Sequence, residues 1–272
     1  MEKIPVLVKW AGGKRQLIPQ LKKYFPDKIE RYFEPFVGGG SVAFYVIEHY
    51  KPRKIYLSDS NEELINVYNV VKSNINNLIK RLEYYKKSHS KSFYYLIRSK
   101  DPKTLSPLER ATRFIYLNRT CYNGLYRVNS KNEFNVPMGS YKNPKIYDEK
   151  ELRHISDLLK TAIIEVKDFY QIKNEVKKGD FVYFDPPYYP LKKESFTTYT
   201  KDNFLEKDQI RLAELFTILD KKGAKLMESN SDTAFIRNLY KKYNIHIVKA
   251  NRMINSNSKG RGKINEVVIT NY

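Results

Sequence analysis

Short apolar runs and longer amphipathic segments follow one another along the chain, which is typical of an α/β fold. The apolar runs predict strands at 32–34, 55–57, 162–166, 181–184 and 225–228. Apolar residues at helical spacing predict helices at 17–25, 42–47, 61–82, 107–118, 148–160 and 207–222. Two last runs, at 244–250 and 264–270, predict an antiparallel pair.

The run 181–184 is the most informative, because Asp185-Pro186-Pro187-Tyr188 follows it at once. Proline cannot continue a central strand, so the strand must stop at Asp185. The carboxylate and the aromatic ring of Tyr188 then lie at the carboxyl end of a strand, where open α/β sheets bind ligands. An ordinary strand end with a solvated aspartate is the alternative.

A glycine loop, 35–41, joins an earlier strand to a helix, which is the opening of a nucleotide-binding unit. Its spacing is not G-x-G-x-x-G, so a pyrophosphate dinucleotide is not favoured. About twenty residues later the next strand ends in Asp59, which is well placed to accept ribose hydroxyls. Gly12-Gly13-Lys14 is not a P-loop, because the upstream glycine and the following Ser or Thr are missing.

The segment 122–137 mixes amides, an arginine and apolar residues in a polar loop or hairpin. These are side chains that read base edges, although an ordinary surface hairpin is the alternative. The connection 252–263 carries four cations and two glycines. It is either a solvated turn or a phosphate-contacting loop, with Lys259 and Arg261 as candidate contacts.

The charge and the cysteine content of the chain limit the classes of binding partner and the cellular location that fit it. The chain has 50 Lys plus Arg against 30 Asp plus Glu, a formal net charge of +20. This excess favours a polyanionic partner, most commonly nucleic acid. The single cysteine excludes an internal disulfide and suits a cytoplasmic location. We expect no membrane segment, because no apolar run is long enough, and no metal site, because His and Cys lack ligand spacing.

Six motifs, in the order in which they occur along the chain, resemble those of the amino-methyltransferases that use S-adenosylmethionine. The resemblance is specifically to the Dam-type DNA adenine-N6 methyltransferases of the alpha subgroup. The resemblance covers nearly the whole chain and rests on these segments: 9–14, 35–41, 58–59, 168–169, 185–188 and 266–272, with 122–137 as the recognition hairpin. It implies a Rossmann-like mixed, mostly parallel sheet with a helical insertion. We expect a catalytic domain from 1–60 plus 146–272 and a target-recognition domain from 61–145.

The resemblance also implies S-adenosyl-L-methionine as cofactor and assigns its site. The implied cofactor-binding residues are Trp10, Ala11, Gly12, Lys14, Phe36, Gly38, Gly40, Ser41, Asp59, Asp168, Phe169 and Asp185. Asp59 would bind the ribose and Asp168 the adenine amine. The implied catalytic residues are Asp185, Pro186, Pro187 and Tyr188.

Duplex DNA is the implied partner, with GATC as the expected site, and we expect the enzyme to act as a monomer. The implied DNA-binding residues are Lys9, Tyr122, Asn123, Leu125, Arg127, Asn135, Pro137 and Tyr141. The chain departs from the family pattern at Asn132, often glycine in members, and at Ser140, often arginine in bacterial members. Lys142 lies close to the second departure.

The implied chemistry is methyl transfer to adenine N6. Asp185 and the Pro186 carbonyl would accept the two amine N–H groups, and Tyr188 would stack on a flipped base. Methylation of cytosine C5 is disfavoured, since Cys121 follows Thr120 rather than proline. A cytosine-N4 or RNA amino-methyltransferase and a catalytically inactive DNA-binding module remain as alternatives.

Overall fold

A computed structural model describes residues 4–129, 133–191, 204–251 and 263–272. Its centre is a seven-stranded sheet of β1 (Arg31–Glu34), β2 (Lys54–Asp59), β3 (Ala162–Val166), β4 (Phe181–Phe184), β5 (Lys225–Ser231), β6 (Asn244–Asn251) and β7 (Lys263–Thr270). The strand order is β3-β2-β1-β4-β5-β7-β6, and β7 alone runs in the direction opposite to the other six strands. The expected mixed, mostly parallel sheet is confirmed.

Helices flank the sheet and form the insertion. They are α1 (Ile18–Leu21), α2 (Ser41–Tyr50), α3 (Glu62–Ser73), α4 (Ile75–Lys87), α5 (Lys91–Ser99), α6 (Pro107–Thr120), α7 (Glu149–Leu159), α8 (Glu206–Lys221) and α9 (Ala234–Leu239). Short 3-10 turns occur at Lys14–Gln16, Lys22–Tyr24, Pro102–Thr104, Tyr122–Gly124 and Phe169–Asn174. None of the helices in the described ranges is long and apolar enough to cross a lipid bilayer.

Alternate residues of each central strand face opposite sides of the sheet. In β4, Phe181 and Tyr183 pack into one buried cluster, whereas Val182 and Phe184 pack into the other. This is the period of two that a pleated strand imposes. All four residues of β4 are buried, so its uninterrupted apolar run is the pattern expected of a strand that is covered on both faces.

The predicted long helix over 61–82 is wrong, because the structure breaks it at Asn74. That residue has φ −140° and ψ 37°, which is not helical, and its side chain accepts a hydrogen bond from Asn77. Asparagine competes for local hydrogen bonds and is a weak helix former. Both helices pack against α6 and α7, and α3 also packs against β2 and β3 of the sheet.

Two other helical predictions differ from the structure. The segment 17–25 is a single α-helical turn, α1, between 3-10 turns rather than one amphipathic helix. Helix α5 lies in a lysine-rich stretch whose pattern predicts no helix. Ser90 caps it by accepting from Phe93 N at 3.1 Å, and Tyr94 and Ile97 bury its apolar side.

The insertion shares its core with the sheet. Leu64 and Val67 of α3 belong to the same buried cluster as Leu57 of β2 and Phe114 of α6. A capping box of Ser106 and Glu109 starts α6, as its sequence signature predicts. The division of the chain at residues 61 and 145 stays a prediction, since buried side chains continue across it.

Candidate active site

Three acidic side chains end three neighbouring parallel strands: Glu34 on β1, Asp59 on β2 and Asp185 after β4. Parallel strands end at the same edge of the sheet, so these carboxyl groups gather there. Glu34 is 2% exposed and accepts a 2.5 Å hydrogen bond from Tyr32 Oη. Burial raises the pKa of Glu34 well above its usual range, and the nearby charges of Asp185 and Asp59 raise it further.

Asp185 forms an ion pair with a lysine from the amino-terminal turn. Lys14 Nζ lies 2.7 Å from Asp185 Oδ1 and also donates to the Gly12 carbonyl at 2.6 Å. Burial raises the pKa of Asp185 to about 6, while the charge and the hydrogen bond of Lys14 act to lower that pKa. The lysine therefore favours the carboxylate form of Asp185, which burial disfavours.

Tyr188 stands beside this ion pair and is held at both ends. Lys14 Nζ lies 4.5 Å from the centre of the Tyr188 ring, a cation–π distance. The Tyr188 hydroxyl donates to Glu266 Oε2 on β7 at 2.8 Å. Of the two prolines between Asp185 and Tyr188, Pro186 is buried and Pro187 is exposed.

Asp59 holds the backbone of the glycine loop through a hydrogen bond. Its Oδ2 accepts from Gly38 N at 3.1 Å, and its Oδ1 accepts from Asn61 N at 3.0 Å. Burial raises the pKa of Asp59 to about 6, although these backbone donors lower it. Gly40 has φ +79°, and a Cβ there would lie 2.5 Å from Tyr68 Oη, so glycine is required.

The amino-terminal segment covers the glycine loop. A Cβ on Gly38 would lie 2.8 Å from the Trp10 ring, and Ser41 is buried where α2 begins. Trp10 also stacks on Phe114 and Tyr126 of the insertion, with ring centroids 6.5 Å and 5.6 Å away. Trp10 thus contacts both the glycine loop and the insertion. Ala11 and Gly12, by contrast, are exposed.

Asp168 and Phe169 follow β3 at the same edge of the sheet. Phe169 stacks on Phe36 with ring centroids 5.2 Å apart. Both oxygens of Asp168 accept from Arg211 of α8, at 2.5 Å and 3.0 Å. The Arg211 guanidinium also lies 4.7 Å from the Phe169 ring, so one arginine orients both members of this pair.

The segment 122–137 is a hairpin-like loop on the insertion. Isolated β-bridges pair Cys121 with Met138 and Val128 with Phe134, so its arms are paired without forming full strands. Arg127 is exposed, and its Nε donates to Asn135 Oδ1 at 2.7 Å. Other exposed residues described in the same loop are Tyr122, Asn123, Glu133 and Pro137, and Leu125 is half-buried.

Lys9 joins this hairpin to the amino-terminal segment. Lys9 N donates to Asn118 Oδ1 at 2.8 Å, and Asn118 Nδ2 donates to both the Lys9 and Gly124 carbonyls. The Lys9 ammonium lies 4.8 Å from the centre of the exposed Tyr141 ring. Lys9 and Tyr141 therefore lie beside the start of the hairpin-like loop.

Lys259 and Arg261 lie outside the described residues, as does Asn132. Ser140, where the chain departs from the family pattern, and the nearby Lys142 are both exposed. Among the described residues no group of three or more His, Cys, Asp or Glu side chains is arranged to hold a metal ion.

Several residues of this site were missed by sequence reasoning. Arg211 and the buried pair Gln209 and Asn230 carry no motif, and Glu34 lies within an aromatic run that gives it no separate signal. One sequence signal does mark Gln209 as unusual: it is a polar residue at helical spacing from Leu212 and Phe216, on the apolar side of α8. Such a residue needs a buried partner.

Comparisons with known proteins identify the family of the chain. The family model described as D12 class N6 adenine-specific DNA methyltransferase matches residues 10–254. The type II methyltransferase M.MjaIII of Methanocaldococcus jannaschii is 47% identical, with all of both chains covered. M1.LlaDCHI of Lactococcus lactis subsp. cremoris is 45% identical over 97% of this chain and 94% of its own.

A third relative carries the activity in its name. The DNA adenine methylase of Escherichia coli K12 is 35% identical over 98% of this chain and 95% of its own length. These matches confirm the predicted adenine-specific activity on DNA and oppose the cytosine, RNA and inactive alternatives. The chain belongs to the D12 class of N6-adenine-specific DNA methyltransferases.

Proposed function

We propose that this methyltransferase uses S-adenosyl-L-methionine and modifies an adenine flipped out of duplex DNA at GATC. The observation that carries the proposal is the ion pair of Lys14 with Asp185 beside the Tyr188 ring. A carboxylate, a cation and an aromatic face meet there at the carboxyl edge of the sheet. A base can stack on such a ring while its amine reaches the carboxylate.

The residues at the neighbouring strand ends fit S-adenosylmethionine. Burial raises the pKa of Asp59 to about 6, so its carboxylate gains from additional donors such as ribose hydroxyls. Phe36 and Phe169 offer a stacked apolar surface, and Asp168 lies next to it as a candidate acceptor for the adenine amine. Further candidates for the pocket are Trp10, Ala11, Gly12, Lys14, Gly38, Gly40 and Ser41. When bound, this cofactor supplies an electrophilic methyl group.

Asp185 would prepare the adenine amine for transfer. The lone pair of that amine is delocalised into the ring, so the nitrogen is a poor nucleophile. The Asp185 carboxylate would accept one N–H and the Pro186 carbonyl the other, since the Pro187 carbonyl already accepts from Gln209. Both bonds favour a pyramidal nitrogen with a localised lone pair, and holding the amine in place lowers the entropic part of the barrier.

The hairpin-like loop would read the DNA. Arg127 has the donors that pair with a guanine in the major groove, and Asn135 orients them by accepting from Nε. Lys9, Tyr122, Asn123, Leu125, Pro137 and Tyr141 would contact the same duplex. The preference for GATC and action as a monomer rest on the family resemblance of this segment, and the net charge of +20 supports the polyanionic partner.

A methyl-transfer assay with tritium in the methyl group of S-adenosylmethionine tests the proposal. The substrates are a duplex with one GATC and matched duplexes with one base pair altered, and the products are identified by nucleoside analysis. We expect label in N6-methyldeoxyadenosine, mainly from the GATC duplex. Equal labelling of all duplexes would contradict the sequence preference but not the chemistry, and no labelling of any duplex would contradict the cofactor.

A further inference from the structure

Two buried amide side chains hold the main chain on either side of Tyr188. Gln209 Nε2 on α8 donates to the Pro187 carbonyl at 2.9 Å, which belongs to the peptide bond entering Tyr188. Asn230 Oδ1 on β5 accepts from Tyr189 N at 3.3 Å, which belongs to the peptide bond leaving Tyr188. Gln209 and Asn230 are both 0% exposed.

The two amides are also bonded to each other. Asn230 Nδ2 donates to Gln209 Oε1 at 3.0 Å and to Glu228 Oε1 at 2.9 Å. A backbone carbonyl only accepts and a backbone N–H only donates, so the main chain at each end determines which way each amide points. The hydrogen bonds therefore form one directed chain from Tyr189 N to the Pro187 carbonyl.

A third contact supports the same loop. Ser231 Oγ donates to the Tyr189 carbonyl at 2.7 Å, and Ser231 N donates to Asn230 Oδ1 at 2.9 Å. The end of β5 thus holds both backbone polar groups of Tyr189. The Tyr188 side chain between these anchors is fixed independently at its hydroxyl by Glu266.

Apolar packing alone does not explain Gln209. The other large buried residues of α8 are Leu212, Leu215, Phe216 and Leu219, and a leucine or methionine at 209 would continue that surface. A buried amide adds a desolvation cost unless each polar atom finds a partner. Here the partners are the loop that carries Tyr188 and the amide that holds its other side.

We infer that Gln209 and Asn230 are positioning residues that set the place of the Tyr188 ring for the target base. This inference rests on the proposed role of Tyr188 in stacking on that base. A shift of about 1 Å at a reacting group can cost roughly a hundredfold in rate. The two amides act on the rate through Tyr188 and do not touch the substrate.

The test combines Gln209→Met with Tyr188→Ala in a double-mutant cycle. Methionine keeps the size and loses both hydrogen bonds. We expect Gln209→Met alone to lower kcat about tenfold to a hundredfold with little change in the KM for cofactor. In the Tyr188→Ala background the same change should lower kcat less than about threefold, because its target is already gone.

A matched control comes from the same helix. Thr217→Val removes a hydroxyl that donates within α8 to the Ala213 carbonyl, and it should leave kcat near that of the wild type. Thermal unfolding of each variant, and Gln209→Asn as a shorter amide that cannot reach Pro187, keep the test valid if methionine impairs folding.

The outcomes separate the two claims. An equal fall in kcat from Gln209→Met in both backgrounds, or no fall in either, overturns the positioning role. A Tyr188→Ala variant with wild-type kcat overturns the proposed stacking role of Tyr188, and the inference with it. Loss of methylation in Tyr188→Ala together with full activity in Gln209→Met and Gln209→Asn overturns the inference alone.

Discussion

Lys14 Nζ and Asp185 Oδ1 are 2.7 Å apart, and the lysine side chain is 3% exposed against 19% for the aspartate. The cation is therefore more deeply buried than the carboxylate that it pairs with. A buried lysine without its partner is costly, and the lysine in turn favours the ionised form of Asp185 by lowering its pKa. The pair joins the amino-terminal turn to the end of β4 across the site.

Replacing Lys14 should change the pH dependence of methylation. Asp185 acts as an acceptor in its ionised form, and burial raises its pKa to about 6. The rate of the wild type should therefore fall as the pH drops through that value. Without the lysine charge the pKa of Asp185 rises, so the acid limb of Lys14→Met moves to higher pH. At a pH on that limb, a pKa higher by about 1 lowers the rate about tenfold.

The measurement is kcat against pH with cofactor and DNA saturating. Lys14→Arg is the control, because it keeps a cation near Asp185 and should keep the profile close to that of the wild type. An acid limb at the same pH in Lys14→Met and in the wild type would show that the ion pair does not govern the ionisation of Asp185.

Asp185→Ala should abolish most methyl transfer while cofactor binding is largely kept. Removing a catalytic proton acceptor costs about 10²–10⁴ in rate, and lost positioning adds to that. Single-turnover methylation measures the rate, and a cofactor titration measures binding. If the variant no longer binds cofactor, the main role of Asp185 is in cofactor binding rather than in methyl transfer.

Asp59→Ala should weaken cofactor binding more than it slows transfer at saturating cofactor. Each lost hydrogen bond to a charged group is worth roughly 1.5–3 kcal/mol. Because Asp59 also holds Gly38 N, Asp59→Asn is the matched variant, since it keeps one acceptor for the loop and loses the charge. A dissociation constant equal to that of the wild type in both variants would contradict the ribose role.

Arg127→Ala should relax the sequence preference of the enzyme. A base contact gives about 1–3 kcal/mol of discrimination at one base pair, so methylation of the cognate duplex should fall far more than that of duplexes altered at an outer G·C pair. The measurement is the rate over a panel of single-pair changes at fixed salt.

The control for Arg127 is Lys142→Ala, another exposed cation near the hairpin-like loop. A phosphate contact there would slow all duplexes by one factor. The same uniform loss from Arg127→Ala would make Arg127 a phosphate contact, with base readout elsewhere on the insertion.

Replacing Lys259 and Arg261 together should reduce the salt dependence of non-cognate DNA binding. Two lost phosphate contacts lower the slope of log K against log salt by roughly 1–2. Lys54 and Lys225 form the control pair. They are the first residues of β2 and β5, so they lie at the edge of the sheet opposite to the carboxyl ends that carry the candidate active site. Equal slopes for the loop variant and the wild type would show that the terminal connection does not contact DNA.

The features that sequence predicted well are local ones. The apolar run of β4 and the prolines after Asp185 are adjacent in the chain, and the capping box of α6 joins Ser106 to Glu109. Each depends on the backbone preferences of neighbouring residues. The place of Asp59 after the glycine loop followed in the same way, from the length of one strand–helix–strand unit.

The features that sequence did not predict depend on contacts between distant segments. Lys14 and Asp185 meet only because the tertiary fold brings the amino-terminal turn to the end of β4. Arg211 of α8 reaches Asp168 although the two residues are 43 positions apart in the chain. The break at Asn74 is an exception, because it has a local cause in the asparagine, and the apolar spacing that continues through it hid that signal.

The shared core beneath the insertion determines which part of this protein can be exchanged with a relative. A cut at residues 61 and 145 would separate Leu64 from Leu57, which are buried in one cluster. The hairpin-like loop is closed at its base by its own backbone contacts. Cys121 and Met138 form an antiparallel β-bridge, and Gly139 N donates to the Thr120 carbonyl at 2.9 Å. A graft that alters specificity should therefore replace only the residues between Cys121 and Met138 and leave the helices of the insertion in place.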